Sequence, residues 1–219
     1  MAKGLLKYNY PQIVFAKQIA SLIKSNQTLV IDCPCGNGET SYNINRLAGV
    51  KVLGFDVSDS SIKSAGKNFV SDNLKFSVST IENVLETEKQ FSAFCIINSL
   101  FLLENYDFVL KSLKRSVSNN KAKVFIIIPN TEGKNFKWFQ SQNTGENKLI
   151  IKENEIESFF SNYGFKTELI KPICYTHHYN RVDVKLFSVF WTLYLGFLNS
   201  IQTTFKIGKP NYFLIALAS

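Results

Sequence analysis

Asp32, Gly36, Gly38 and Asp56 are the residues whose types and spacing point to chemistry. They lie in and just after the run LVIDCPCGNGETS, residues 29–41. A short apolar stretch ends in an acid, passes through a loop with two glycines two apart, and enters a segment suited to start a helix. A strand, a tight turn and a helix N-terminus bring backbone N–H groups and the positive end of a helix dipole to one place, where a cofactor can be met. Asp56 follows twenty residues after Gly36, at the end of a second apolar run, Val50 to Phe55. In a right-handed βαβ unit the second strand ends beside the first. A carboxylate there reaches a ribose laid across the strand ends and accepts from both its hydroxyls.

The surrounding elements are those needed to hold these residues. Tyr10 to Lys24 has helical spacing, with Pro11 in the first turn and Phe15, Ile19, Leu22 and Ile23 on one face, and its start could bring Tyr8 or Tyr10 over the loop. Strands are expected over Thr28–Ile31, Val50–Phe55, Leu74–Val78, Phe91–Ile97 and Ala122–Ile128, with helices over Glu39–Leu47, Val57–Val70 and Glu104–Ser118 between them. The nearly unbroken apolar runs suit strands covered on both faces of a parallel sheet. The pattern therefore predicts an α/β, doubly wound sheet with its site at the C-terminal strand ends, which carry Asp32, Asp56, Thr80, Asn98 and Asn130.

After Asn130 the pattern changes. Residues 131–148 are polar and turn-rich and predict a loop; a helix is expected over Lys152–Tyr163, then an antiparallel pair of strands, Lys166–Tyr175 and Tyr212–Ala218. Residues 176–211 separate that pair as a helical insertion, expected to act as a substrate lid. Its centre carries two apolar stripes, Leu186, Val189, Phe190, Leu193 and Phe197 on one side, and Phe187, Trp191, Tyr194 and Leu198 on the other. One core cannot bury both, so residues 186–198 are expected to pack one face and offer the other to substrate, a second subunit or a peripheral membrane surface. The chain's two histidines, His177 and His178, open this insertion and are the candidates for a catalytic base, His178 first.

Composition narrows the class. The net charge is +8, but no run of four basic residues occurs, which favours a solvated surface and no nucleic-acid partner. Cys33, Cys35, Cys95 and Cys174 include only one close pair, spaced C-x-C, so no metal site is expected and the thiols should be reduced. The N-terminal residues lack an apolar signal region, which predicts a cytoplasmic protein. The length suits one domain over residues 1–219, with residues 1–27 as an N-terminal helix and lid.

The run V-I-D-C-P-C-G-N-G resembles the first motif of class I S-adenosylmethionine-dependent methyltransferases of the small-molecule type, with Pro34 in the place of that motif's first glycine. VLGFDVSDSSIKSAGKN is similar to the second motif, and FSVSTI to the third, where Thr80 stands at the usual acid. FSAFCIINSLFLL and AKVFIIIPN resemble the fourth motif and the fifth strand, so the likeness covers residues 28–130. The resemblance implies a Rossmann-like seven-stranded sheet, mostly parallel with a reversed last strand and helices on both faces. It implies S-adenosylmethionine as cofactor and S-adenosylhomocysteine as product, held by Asp32, Pro34, Cys35, Gly36, Gly38, Asp56, Val57, Thr80, Ile81 and Asn98. Asp56 would take the ribose hydroxyls, Thr80 and Ile81 the adenine, and Asp32 and Asn98 the methionine portion. The acceptor expected is a small molecule, apolar or aromatic. Three other readings stay open: a non-catalytic cofactor-binding or partner subunit of the same fold, an RNA or protein methyltransferase, and a nicotinamide-dependent oxidoreductase.

Overall fold

The computed structural model describes residues 10–23, 29–133, 136, 149–175, 187–205 and 208–219. Seven strands form one sheet: β1 (Leu29–Asp32), β2 (Lys51–Asp56), β3 (Leu74–Val78), β4 (Ala93–Ile97), β5 (Lys123–Pro129), β6 (Lys166–Ile173) and β7 (Tyr212–Ala218). Their order is β3-β2-β1-β4-β5-β7-β6. The first five are parallel, whereas β7 runs antiparallel to both β5 and β6. The chain winds outward from β1 through β2 to β3, then crosses to the other side of β1 for β4 and β5. The crevice between β1 and β4 is therefore the switch point at which such a sheet binds ligands.

Side chains alternate between the two faces, and both are buried, which is why the strands read as continuous apolar runs. On one face Ile31, Phe94, Ile96, Val124, Ile126, Phe213 and Ile215 pack against α4 (Ile81–Thr87), α5 (Tyr106–Asn120) and α6 (Ile156–Ser161). On the other, Val30, Val52, Cys95, Phe125, Ile127, Tyr212 and Leu214 meet Phe15 and Ile19 of α1 (Tyr10–Leu22) and Ile44 of α2 (Glu39–Ala48). The rings of Phe15 and Tyr212 meet edge to face at 4.8 Å. A third helix beside β2, α3 (Asp59–Asn68), is capped by Ser58, whose hydroxyl accepts from Ser61 N.

Several expected boundaries shift. The helix expected to reach Lys24 ends at Leu22. The one expected over 152–163 is a 3-10 turn, Glu153–Glu155, followed by α6. Helix α4 was not expected at all: it has seven residues, too few for its period to stand out, and is started by Thr80.

In the insertion, α7 (Phe187–Phe205) continues well past the expected centre. Of the two expected stripes, the side chains of residues 186–193 lie outside the described residues. Leu195 is buried, and Asn199 accepts the Tyr175 N–H at 2.7 Å, while Tyr194 and Phe197, one from each stripe, are both exposed. The anchoring of α7 is thus partly polar, a signal that counting apolar residues misses. Among the described residues no helix is long and apolar enough to cross a membrane.

Candidate functional site

The loop between β1 and α2 is tied to the two neighbouring strands. Cys33 N–H donates to Cys95 O of β4 at 3.1 Å, and Cys35 N–H donates to Phe55 O of β2 at 2.7 Å. Gly36 N–H donates to Asp56 Oδ2 at 2.8 Å, and the other oxygen of that carboxylate accepts from Ser58 N at 2.9 Å. Asp56 therefore braces the loop. Each of its oxygens keeps a second lone pair, so the carboxylate retains acceptor capacity for a ligand hydroxyl. Val57, beside it, is exposed.

Pro34, in the place of the resembled motif's first glycine, follows a cis peptide bond after Cys33. Gly36 and Gly38 both have positive φ, 53° and 78°. They differ in their surroundings. A Cβ on Gly36 meets nothing within 4 Å, whereas one on Gly38 would lie 2.6 Å from Phe76 Cζ and 2.8 Å from Ala65 Cβ. Phe76 of β3 also lies against Gly54, where a Cβ would come within 2.6 Å of its ring. Its ring thus fills the space that two absent side chains leave, and it lets β2, β3 and the loop close together.

Asp32, at the end of β1, is 1% exposed. Its Oδ2 accepts from the Ser41 hydroxyl of α2 at 2.5 Å. Burial pushes its carboxyl up to about 7, with the nearby Asp56 charge adding to the rise and the Ser41 hydrogen bond opposing it. Its Oδ1 is buried with no hydrogen-bond partner among the described residues, and the same holds for Asn98 Oδ1 and Ser99 Oγ just beyond β4. Asn98 has a positive φ of 54°, a conformation that asparagine tolerates better than most residues. Three unpartnered polar atoms therefore collect at the ends of the adjacent strands β1 and β4. Leaving such atoms unpaired costs about 1–3 kcal/mol each, and a cationic donor group placed among them would remove that cost.

Thr80 is exposed, and its hydroxyl accepts from Asn83 N at 3.2 Å as the cap of α4. The hydroxyl proton stays available to a ligand acceptor. Ile81 is only 4% exposed and belongs to the same core cluster as Val84 and Leu85. Cys35 is buried, and burial, together with the Asp32 and Asp56 charges, pushes its thiol well up and keeps it neutral. His177 and His178, the expected catalytic pair, lie outside the described residues, as do Tyr8 and most of the expected loop over residues 131–148. Among the described residues no cluster of His, Cys, Asp or Glu could hold a metal ion.

Next along the chain from Asn98 and Ser99 begins the lining of a partly open cleft, whose roughly 280 Å³ of empty space includes open solvent. Leu100 and Phe101 line it after β4, Ile128, Pro129 and Thr131 at the end of β5, and Phe136 with Leu149, Ile150 and Ile151 close it. Among the described residues of that lining, Thr131 supplies the one polar side chain.

Sequence reasoning missed Ser41, Phe76 and Gly54. Ser41 stood where a dinucleotide-binding turn has its third glycine, and its partnership with Asp32 gives that departure a role. Gly54 inside an apolar strand was the available signal for a close approach.

Comparison with known proteins follows this geometry. Among solved structures, the methyltransferase in the complex between the Haloferax volcanii Trm112 methyltransferase activator and a putative methyltransferase is similar over 94% of this chain and 89% of its own, with TM-score 0.69 and 12% identity. The plantazolicin methyltransferase BpumL, in complex with SAH, matches over 97% of this chain and 86% of its own, with TM-score 0.63 and 16% identity. A possible histamine N-methyltransferase from Thermotoga maritima matches over 95% and 89%, with TM-score 0.63 and 11% identity. At these identities the likeness shows the fold. No curated protein matches the sequence. A family profile described as a methyltransferase domain matches residues 24–164, from the end of α1 through α6, and this chain belongs to that methyltransferase family.

Proposed function

We propose that this methyltransferase takes S-adenosylmethionine at the β1–β4 switch point and transfers its methyl group to a small, apolar or aromatic acceptor. The observation that carries the reading is the pairing of unlike surfaces: unpartnered polar atoms on Asp32, Asn98 and Ser99, next to a cleft lined almost wholly by apolar side chains. The residues fit the cofactor. An α-ammonium has three N–H donors, and Asp32 Oδ1, Asn98 Oδ1 and Ser99 Oγ are buried atoms in want of donors. Asp56 keeps lone pairs for ribose hydroxyls, Gly36 leaves open space above the loop, and Thr80 keeps a hydroxyl proton for an adenine nitrogen. SAH bound to the structurally similar BpumL supports the same assignment.

The cofactor supplies a methyl group already activated on a sulfonium sulfur. What remains for the chain is to position the acceptor and keep water out, and a well-aligned pair can gain several kcal/mol from proximity alone, of the order of 7–11 kcal/mol in favourable cases. Leu100, Phe101 and Ile128 would hold an apolar body and exclude water. Where the acceptor atom carries a proton, His178, with His177 beside it, is the proposed base; the support is their position at the start of the insertion.

The test is label transfer. The protein is incubated with methyl-tritiated cofactor and, in separate reactions, an organic extract of small metabolites, total RNA and unfolded protein. Label in the organic extract alone supports the reading. Label in RNA or protein overturns the small-molecule acceptor. Turnover that survives replacing both histidines by Ala removes their proposed role.

A further inference from the structure

We infer that Asn130 is a positioning residue for the acceptor: it holds the turn that walls the cleft against the chain entering β7. The inference rests on the cleft being the acceptor site. Asn130 stands at the end of β5, among the polar strand ends where a site was expected, yet it is buried and its polar groups are engaged inside the protein. Its N–H donates to Asn211 O at 2.9 Å and its Nδ2 to Pro210 O at 2.8 Å. Its Oδ1 accepts from Glu132 N at 3.0 Å and its carbonyl from Gly133 N at 2.9 Å. Two bonds close the turn and two leave it for the chain ahead of β7. Asn98, at the end of β4, keeps an unpartnered Oδ1 instead. Asn130 is thus suited to hold a wall in place, and Asn98 to meet a ligand.

The turn carries part of the cleft. Pro129 and Thr131 flank Asn130, and Phe136 follows, its N–H donating to Gly133 O at 3.0 Å; all three line the cleft. Gly133 marks how near the two segments lie. A Cβ there would stand 2.9 Å from Pro210 O and 3.0 Å from Asn211 Cα, both backbone atoms. The far side is fixed in its turn. Asn211 donates to Cys174 O from its backbone N–H and from its Nδ2, each at 2.9 Å. The next residue, Tyr175, donates its N–H to Asn199 of α7. Lys209 and Glu132 add an exposed ion pair across the same junction. The end of β6, α7 and the start of β7 therefore converge on one turn, and through it on the wall formed by Pro129, Thr131 and Phe136. Misplacing a reactant by about 1 Å can cost about a hundredfold in rate, so a shift of this wall reaches the chemistry without touching it.

The test uses the full chain, methyl-tritiated S-adenosylmethionine and serial dilutions of the organic extract, with calorimetric titration of S-adenosylhomocysteine alongside. Asn130→Ala removes both side-chain bonds. Asn130→Asp keeps the acceptor for Glu132 N and loses the donor to Pro210 O, and Gly133→Ala leaves Asn130 intact but forces the same junction apart. Each is expected to need about tenfold more extract for half-maximal transfer. Affinity for S-adenosylhomocysteine should stay within about twofold, because the proposed cofactor residues lie at the ends of other strands. Asn130 and Gly133 are buried, so Glu132→Lys supplies a variant certain to fold, both members of its ion pair being 62% exposed. It sets two lysines against each other across the junction and should raise the extract needed about threefold, with Lys209→Glu added to it restoring the wild-type value. Wild-type dilution curves from the folded variants, or from Asn130→Asp alone, overturn the inference and leave the acceptor reading standing. So does a loss of S-adenosylhomocysteine affinity that matches the loss of transfer. No label in the extract from the wild type removes the acceptor reading, and this inference with it.

Discussion

Asp56 Oδ2 accepts the backbone N–H of Gly36 at 2.8 Å, across twenty residues of chain. The acid that was expected to meet only a ribose thus also shapes the loop proposed to meet the rest of the cofactor. Asp56→Asn would place an amide N–H against either the Gly36 or the Ser58 N–H. Such a clash of donors in a nearly buried site costs about 1–3 kcal/mol. Denaturant unfolding should show that loss, and cofactor affinity should fall at least about tenfold beyond it because the ribose loses a charged acceptor.

The two loop glycines should part company when each is changed to Ala. Gly38→Ala forces a Cβ into Phe76 and Ala65 at a positive φ and should destabilise the protein by about 2 kcal/mol or more. Gly36→Ala meets open space in the protein and should cost only about 1 kcal/mol, the strain of its φ. If the Gly36 backbone lies against the cofactor, that milder variant should nevertheless lose most of its cofactor affinity. Thermal melts of both variants with and without cofactor make the comparison.

Asp32 should give cofactor binding a pH dependence. Its carboxyl is raised in the folded protein to about 7, so in the ligand-free state it contributes stability that is fully present below its unfolded value and is lost as pH rises through 7. A cationic ligand reverses the preference, because it needs the ionised carboxylate. Affinity should therefore weaken by up to about tenfold per pH unit below 7, with proton release on binding. Calorimetry in buffers of different ionisation enthalpy reads that proton. Asp32→Asn should bind weakly and without this pH dependence, and Ser41→Ala, by removing the bond that opposes the rise, should move the midpoint upward.

Asn98 can be separated into backbone and side chain. Asn98→Gly accepts the positive φ of 54° and deletes the side chain that carries the unpartnered Oδ1, so it should keep the fold while weakening cofactor binding about tenfold. Asn98→Ala adds strain to the same deletion and should also lower Tm.

Much of this was legible because parallel strands buried on both faces write themselves as apolar runs, and because Asp32, Gly36, Gly38 and Asp56 come as a set. β7 was legible as a strand for the same reason, YFLIALA being apolar on both faces, while its reversal was what the resemblance implied. What was not legible depends on contacts between segments far apart in the chain. Thr80 caps a short helix whose first residue, Ile81, is part of the core, and seven residues are too few to show that helix in the sequence. The Phe76 ring beside Gly38 and Gly54, and Ser41 beneath Asp32, have no spacing rule that announces them. On α7 part of the anchoring is Asn199 accepting the Tyr175 N–H, a polar contact that counting apolar residues does not announce.

Calorimetric titration with S-adenosylmethionine and S-adenosylhomocysteine tests the central claim most directly. The account predicts that both bind one to one, that Asp32→Asn and Asp56→Asn each weaken both, and that a nicotinamide dinucleotide does not bind. Absence of binding by either sulfur compound to the folded protein would contradict it.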